Sequence, residues 1–218
     1  MQVTLSRWLA PWTLGSPRRK AHLLSAFARA EHASMLDLRL AAAVTPSPAR
    51  KAAYLGHALD EERHARTFAA AAREAGCVDP VHGDAEDLFV RRGEIGFLAF
   101  VHHGESRGRR QFTALAAQAT RLGDTRLAGM LRAIASDEAQ HESYTRALLV
   151  ELAGSEALAR RALRKARAWE AWRRFRRAGR GLAGIVWTAS MTLLYFGLLP
   201  FVLLVLVARP VRRGLQPR

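Results

Sequence analysis

The sequence predicts an all-α protein: a four-helix bundle, then a basic amphipathic helix and a transmembrane helix. Three observations carry this expectation. Half of the 218 residues are apolar and only three are Tyr, and the abundance of Ala with few β-branched runs before the C-terminal end favours helix over strand. Asp-Glu-x-x-His occurs twice, at 60–64 and at 137–141, and its Glu-to-His spacing puts both side chains on one face of a helix. From Gly181 to Ala208 there are 28 residues without a charge, which is long enough to cross a bilayer.

The elements follow in order. Residues 1–16 form an N-terminal arm in which Trp8, Leu9 and Trp12 are suited to rest on protein or lipid. Ser16-Pro17 reads as an N-cap with Pro at the first helical position, and the first helix runs to about Val44, where Pro46 and Pro48 end it. Ser47-Pro48 starts a second helix lasting to about Ala75. Gly76 and the stretch after it form a loop, a third helix runs from about Ala85 to Leu122, and Gly123-Asp124 separates it from a fourth that reaches Ala153. Short links make helices one and two, and three and four, antiparallel neighbours. Residues 17–153 thus form one domain. Residues 154–180 are an Arg-rich amphipathic segment with Leu158, Ala162, Ala166, Trp169 and Trp172 on one face, 181–208 a membrane segment, and 209–218 a basic tail.

The net charge of +15 is concentrated at the C-terminal end. Residues 160–218 hold 14 Lys and Arg against one acid, Glu170, whereas the rest of the chain is close to neutral. Such a block fits an anionic membrane surface or a nucleic acid, and the adjoining apolar stretch argues for the membrane. Trp169, Trp172, Arg173 and Arg174 are the expected headgroup contacts. Ten basic residues precede the apolar stretch from Arg160 onward and four follow it, so the preceding domain is expected on the cytoplasmic side of an inner or cytoplasmic membrane. Gly197 and Pro200 interrupt the stretch and leave a re-entrant hairpin open beside a single crossing. Cys77 is the only cysteine, so neither a disulfide framework nor a thiolate metal site is expected.

The two Asp-Glu-x-x-His motifs carry the chemistry. Each follows a lone glutamate at a similar distance, Glu31 before Glu61 and Glu105 before Glu138. The lone glutamates have related surroundings: Leu24 and Phe27 precede the first as Leu98 and Val101 precede the second, and Leu38 and Phe112 follow seven residues on. Four carboxylates and two neutral imidazoles, His64 and His141, suit two divalent irons, with manganese as an option, better than calcium, magnesium or zinc. Asp60 and Asp137 are expected to orient the histidines. His57 and His102 are candidates for an extra ligand, with packing roles as the alternative. Arg109, one turn after Glu105, could neutralise a ligand carboxylate, while Arg63 and Arg107 read as solvated.

This pattern resembles the ferritin-like diiron superfamily, which includes rubrerythrins, soluble acyl-carrier desaturases, tRNA and quinone hydroxylases and diiron N-oxygenases. The resemblance covers about residues 17–153 and is specific at Glu31, Glu61, His64, Glu105, Glu138 and His141. It implies that Glu61 and Glu138 bridge or chelate while each histidine caps one iron. The chain departs from rubrerythrin-type peroxidases in having His102 where they carry a further glutamate, and it has no Cys-x-x-Cys module. It is far shorter than the desaturases. N-oxygenases are similar in having an extra histidine at the offset of His57, on the other motif helix.

The resemblance and the apolar segment together imply a membrane-tethered oxidoreductase of oxygenase, desaturase or peroxidase type. Its expected partners are anionic lipid, an electron donor and, as an option, a second copy of the chain. An iron-handling protein and a nucleic-acid-binding protein are the alternatives.

Overall fold

The structure is a computed structural model that describes residues 11–77 and 82–208, with side chains to residue 204. Trp8, Leu9 and the basic tail 209–218 lie outside the described residues. Among those described, all regular structure is helical. A single turn at 11–14 precedes α1 (Pro17–Val44), α2 (Pro48–Glu74), α3 (Leu88–Arg121), α4 (Thr125–Ala153) and α5 (Glu156–Ala208).

Local chemistry sets most of these limits. Ser47 accepts the N–H of Arg50 at 3.3 Å and Pro48 follows it, so α2 starts with a side-chain cap and a fixed φ. Asp124 caps α4 in the same way through the N–H of Leu127 at 3.0 Å. Ser16, expected to cap α1, is extended but makes no side-chain cap, so Pro17 alone starts that helix.

The start of α3 departs from expectation. Asp37 on α1 accepts the N–H groups of Glu86 at 3.0 Å and Asp87 at 2.8 Å, which holds the residues before Leu88 out of the helix. Within α3, Gly93 has φ 70 and ψ 166 and kinks the chain, a conformation that a residue with a Cβ adopts only under strain. Just past the kink, one oxygen of Glu94 accepts from Thr45 Oγ1 at 2.9 Å, Arg50 Nε at 2.8 Å and the Tyr54 hydroxyl at 2.8 Å.

Helix α1 packs along α2 and α3 along α4, and the two pairs meet through α1 against α3 and α2 against α4. Phe27, Phe68 and Phe112 form an aromatic layer with ring centroids 5.1–5.4 Å apart. A second layer contains Tyr54 against Phe97 at 5.7 Å. Along α2 and α3 the acidic residues Glu61 and Glu105 stand between these layers, so the polar site is enclosed by large apolar side chains on both sides.

The chain divides into two compact units, 1–167 and 168–218. The first therefore extends past α4, with Ala159, Leu163 and Ala166 buried and Arg146 paired with Glu156. In the second, the helix continues without interruption through Gly197 and Pro200. This is the one described helix long and apolar enough to cross a membrane. Leu182, Ile185, Trp187, Leu193 and Phe201 are among its exposed side chains, an apolar surface far more continuous than a water-facing helix carries.

Candidate metal centre

Four helices each bring acidic or imidazole groups to one buried point. Two sets of ligand atoms lie close enough to hold an ion, all within 4.8 Å of one another in each set: His57, Glu61, Glu105 and His141, and Glu61, His64 and Glu138. Glu61 belongs to both. Glu31 is half-buried on α1 and interacts with Glu61, as Glu105 does with Glu138. Burial pushes Glu31 and Glu105 well above the ordinary carboxylate range. Burial, with Glu105 next, raises Glu138 to about 12. Burial, with Glu138 next, raises Glu61 to about 8.

The two motif histidines are held crosswise. His64 on α2 donates Nε2–H to Asp137 Oδ2 on α4 at 3.0 Å, and His141 on α4 donates Nε2–H to Asp60 Oδ2 on α2 at 3.1 Å. These bonds fix the tautomer and leave a lone pair on each Nδ1. Both Nδ1 atoms are buried without a hydrogen-bond partner. His64 Nδ1 faces Glu138 Oε1 at 3.6 Å and Glu61 Oε1 at 3.9 Å. His141 Nδ1 faces Glu61 Oε1 and Glu105 Oε2, both at 3.7 Å. Lone pairs aimed at acceptor oxygens in a dry interior repel one another unless a metal ion or a carboxyl proton stands between them. The residues of each set could therefore hold a metal ion, whose identity is open to any ion that takes mixed carboxylate and imidazole donors.

Arg63 ties the two outer carboxylates together, with Nη1 2.8 Å from Asp60 Oδ1 and Nη2 3.0 Å from Asp137 Oδ2. The side chain is more than half exposed, yet it is paired with both aspartates rather than simply solvated. Asp137→Ala is expected to weaken metal binding by roughly 10–100-fold, because His64 loses its fixed orientation while every ligand atom remains. Competition against a chelator of known affinity measures this. Unchanged affinity would show that the aspartate has no orienting role.

The other singled-out residues divide. His57 lies in the cluster, one turn before Glu61. His102 does not: its Nδ1 faces the carbonyl of Glu142 at 3.0 Å and Thr145 Oγ1 at 3.3 Å. Arg109 pairs with Glu142 at 2.6 Å and not with a ligand carboxylate, and Arg107 is the cation that acts on Glu31 and Glu105. Sequence reasoning missed Ser34, which acts to lower the pKa of Glu61, and Tyr144, whose hydroxyl is 2.5 Å from His57 Nδ1. Both stand three residues after a site residue, Glu31 and His141, so helical spacing could have found them.

In the second unit, Trp172 is exposed and stacks on Phe175 with centroids 5.7 Å apart, and the Arg173 guanidinium lies 4.5 Å over the Trp169 ring. Arg174 pairs with Glu170 at 3.0 Å.

Comparison with family models, curated proteins and solved structures finds no match.

Proposed function

We propose that α1 to α4 form a ferritin-like four-helix bundle that holds two iron ions on Glu31, Glu61, His64, Glu105, Glu138 and His141, and that the protein is a membrane-anchored oxidoreductase acting on oxygen or peroxide. The observation that carries this reading is the pair of buried, unpartnered Nδ1 atoms, each locked by an aspartate of the opposite helix and aimed at a pair of glutamate oxygens. Four carboxylates balance two divalent charges, and manganese suits the same donors. When bound, iron supplies the electrons for reduction of oxygen or peroxide. The chain's own groups set the conditions: Asp60 and Asp137 keep the histidine protons on Nε2, and the Phe27, Phe68 and Phe112 layer limits water on one side.

The anchoring half rests on α5. The apolar part of this helix is exposed, and its 28 uncharged residues extend about 42 Å at 1.5 Å per residue, more than the roughly 30 Å hydrocarbon core, so a tilted crossing accommodates it. Its unbroken course through Gly197 and Pro200 favours a single crossing over a re-entrant hairpin. The positive-inside bias puts the metal centre on the cytoplasmic side, with Trp169, Trp172, Arg173 and Arg174 among anionic headgroups. A membrane position suits a lipid-soluble substrate or a membrane-borne electron donor.

Anaerobically reduced, metal-loaded protein mixed with oxygenated buffer or peroxide should consume the oxidant faster than metal-free protein, and full-length protein should sediment with membranes. A reduced site inert to both oxidants ends the oxidoreductase reading. Oxygen uptake that converts many irons per chain to ferric oxide would instead identify an iron-handling protein. Recovery of the full chain in the soluble fraction without detergent removes the anchor.

A further inference from the structure

The two Asp-Glu-x-x-His motifs match in sequence, but the structure surrounds them differently. One turn before Glu61 stands His57, and one turn before Glu138 stands the buried Ile134. Three residues after His141 stands Tyr144, and three after His64 stands Thr67, whose hydroxyl bonds back to the Arg63 carbonyl at 2.8 Å. The polar additions therefore occur once each, and they meet. His57 has a fully buried side chain, its Nδ1 is 2.5 Å from the Tyr144 hydroxyl, and its ring lies 3.8 Å from that of His141. The opposite nitrogen, Nε2, points at Glu61 Oε1 at 3.1 Å and Glu105 Oε1 at 3.6 Å. The same two glutamates face His141 Nδ1.

We propose that the two metal positions are chemically unequal: the one beside His141 takes His57 as a second imidazole, positioned by Tyr144, while the one beside His64 has a single imidazole. This rests on the two-metal reading above. In the tautomer where the Tyr144 oxygen accepts the Nδ1 proton, Nε2 keeps its lone pair toward Glu61 and Glu105, the arrangement that Asp60 and Asp137 impose on the motif histidines. Nitrogen donors favour ions higher in the divalent series, such as iron and cobalt, whereas a carboxylate-rich position tolerates manganese. The chain thus carries the means to hold two different metals in a fixed order, with manganese next to His64.

The test is an anaerobic titration of detergent-solubilised full-length protein with cobalt(II), read by calorimetry and by the visible cobalt bands, and repeated with manganese(II). Two cobalt steps separated by at least about tenfold are expected, with a smaller separation for manganese. His57→Gln should weaken the tighter cobalt step by roughly 10–100-fold and change its band, and Tyr144→Phe should weaken the same step by about tenfold, with the weaker step unchanged in both. If His57→Gln fails to fold, Tyr144→Phe carries the test, because it removes a single hydroxyl. Two equal cobalt steps in the wild type, or a tighter step indifferent to both substitutions, overturns the proposal while the two-metal reading stands. Absence of metal binding in the wild type, or binding that survives loss of both His64 and His141, overturns both.

Discussion

Replacing Glu61 and Glu138 together by Ala should reduce the metal content from about two ions per chain to nearly none. Glu61 is the one residue common to both ligand sets, so its loss removes an oxygen from each position. Glu138 interacts with Glu105 and faces His64 Nδ1 at 3.6 Å. After the double substitution the set beside His64 keeps one donor, and the other keeps His57, Glu105 and His141, of which Glu105 alone carries a negative charge, so neither retains the carboxylates that balance a divalent ion. Glu31→Ala should have a milder effect, since Glu31 is half-buried and belongs to neither closely spaced set. Elemental analysis of protein purified without added metal, set against circular dichroism to verify the helices, decides the matter. Full loading of the double variant would sink the assignment of the site.

Stripping the metal and raising the pH should destabilise the protein. The carboxyl group of Glu61 is raised from 4.5 to about 8, first by burial and then by Glu138, and that of Glu138 to about 12, first by burial and then by Glu105. Between the ordinary and the raised value the folded state holds more protons than the unfolded one, so stability falls as pH rises. Burial shifts His57 and His64 the other way, below their ordinary value. Their effect is a gain with rising pH that is complete once the unfolded imidazoles are neutral, about one unit above pH 6.5. Above about pH 7.5, therefore, the carboxylates alone set the slope, at most about 1.4 kcal/mol per pH unit for each group that titrates. The melting temperature of metal-free protein should fall steadily from about pH 7.5 to about 9.5. Bound metal keeps the carboxylates ionised and should flatten the curve, so the gap between the two forms widens with pH. A metal-free melting temperature that holds or rises over this window would contradict the raised carboxyl groups of Glu61, Glu105 and Glu138.

How much of this was legible beforehand depends on how local the physics is. The limits of α2 and α4 follow from Ser47-Pro48 and Asp124, caps that act within a few residues. Each Glu–His pair is a matter of helical spacing, so the motifs are visible in a single segment. The crosswise bonds are not: that Asp137 serves His64, and Asp60 serves His141, depends on the packing of α2 against α4. The same holds for His57, which spacing places beside Glu61 but which meets Tyr144 only through tertiary packing. Gly93 looks like one more tolerated glycine in a helical pattern, and nothing nearby announces a φ of 70. Gly197 and Pro200 announce an interruption, yet the helix runs on through both. A proline forgoes one backbone bond, and eight continuous residues from Phe201 to Ala208 keep the helical course after it.

The kink at Gly93 has a mechanical result. Among the described residues the backbones of α2 and α3 are not close neighbours, yet Glu94 of α3 is gripped by Arg50 and Tyr54 of α2 and by Thr45 at the end of α1. That carboxylate is a registration pin between the two halves of the protein. A screw displacement of α3 by one residue would swing Glu105 through about 100° and out of reach of Glu138. Glu94 thus fixes, from eleven residues away along the helix, the angular setting of a group it never touches.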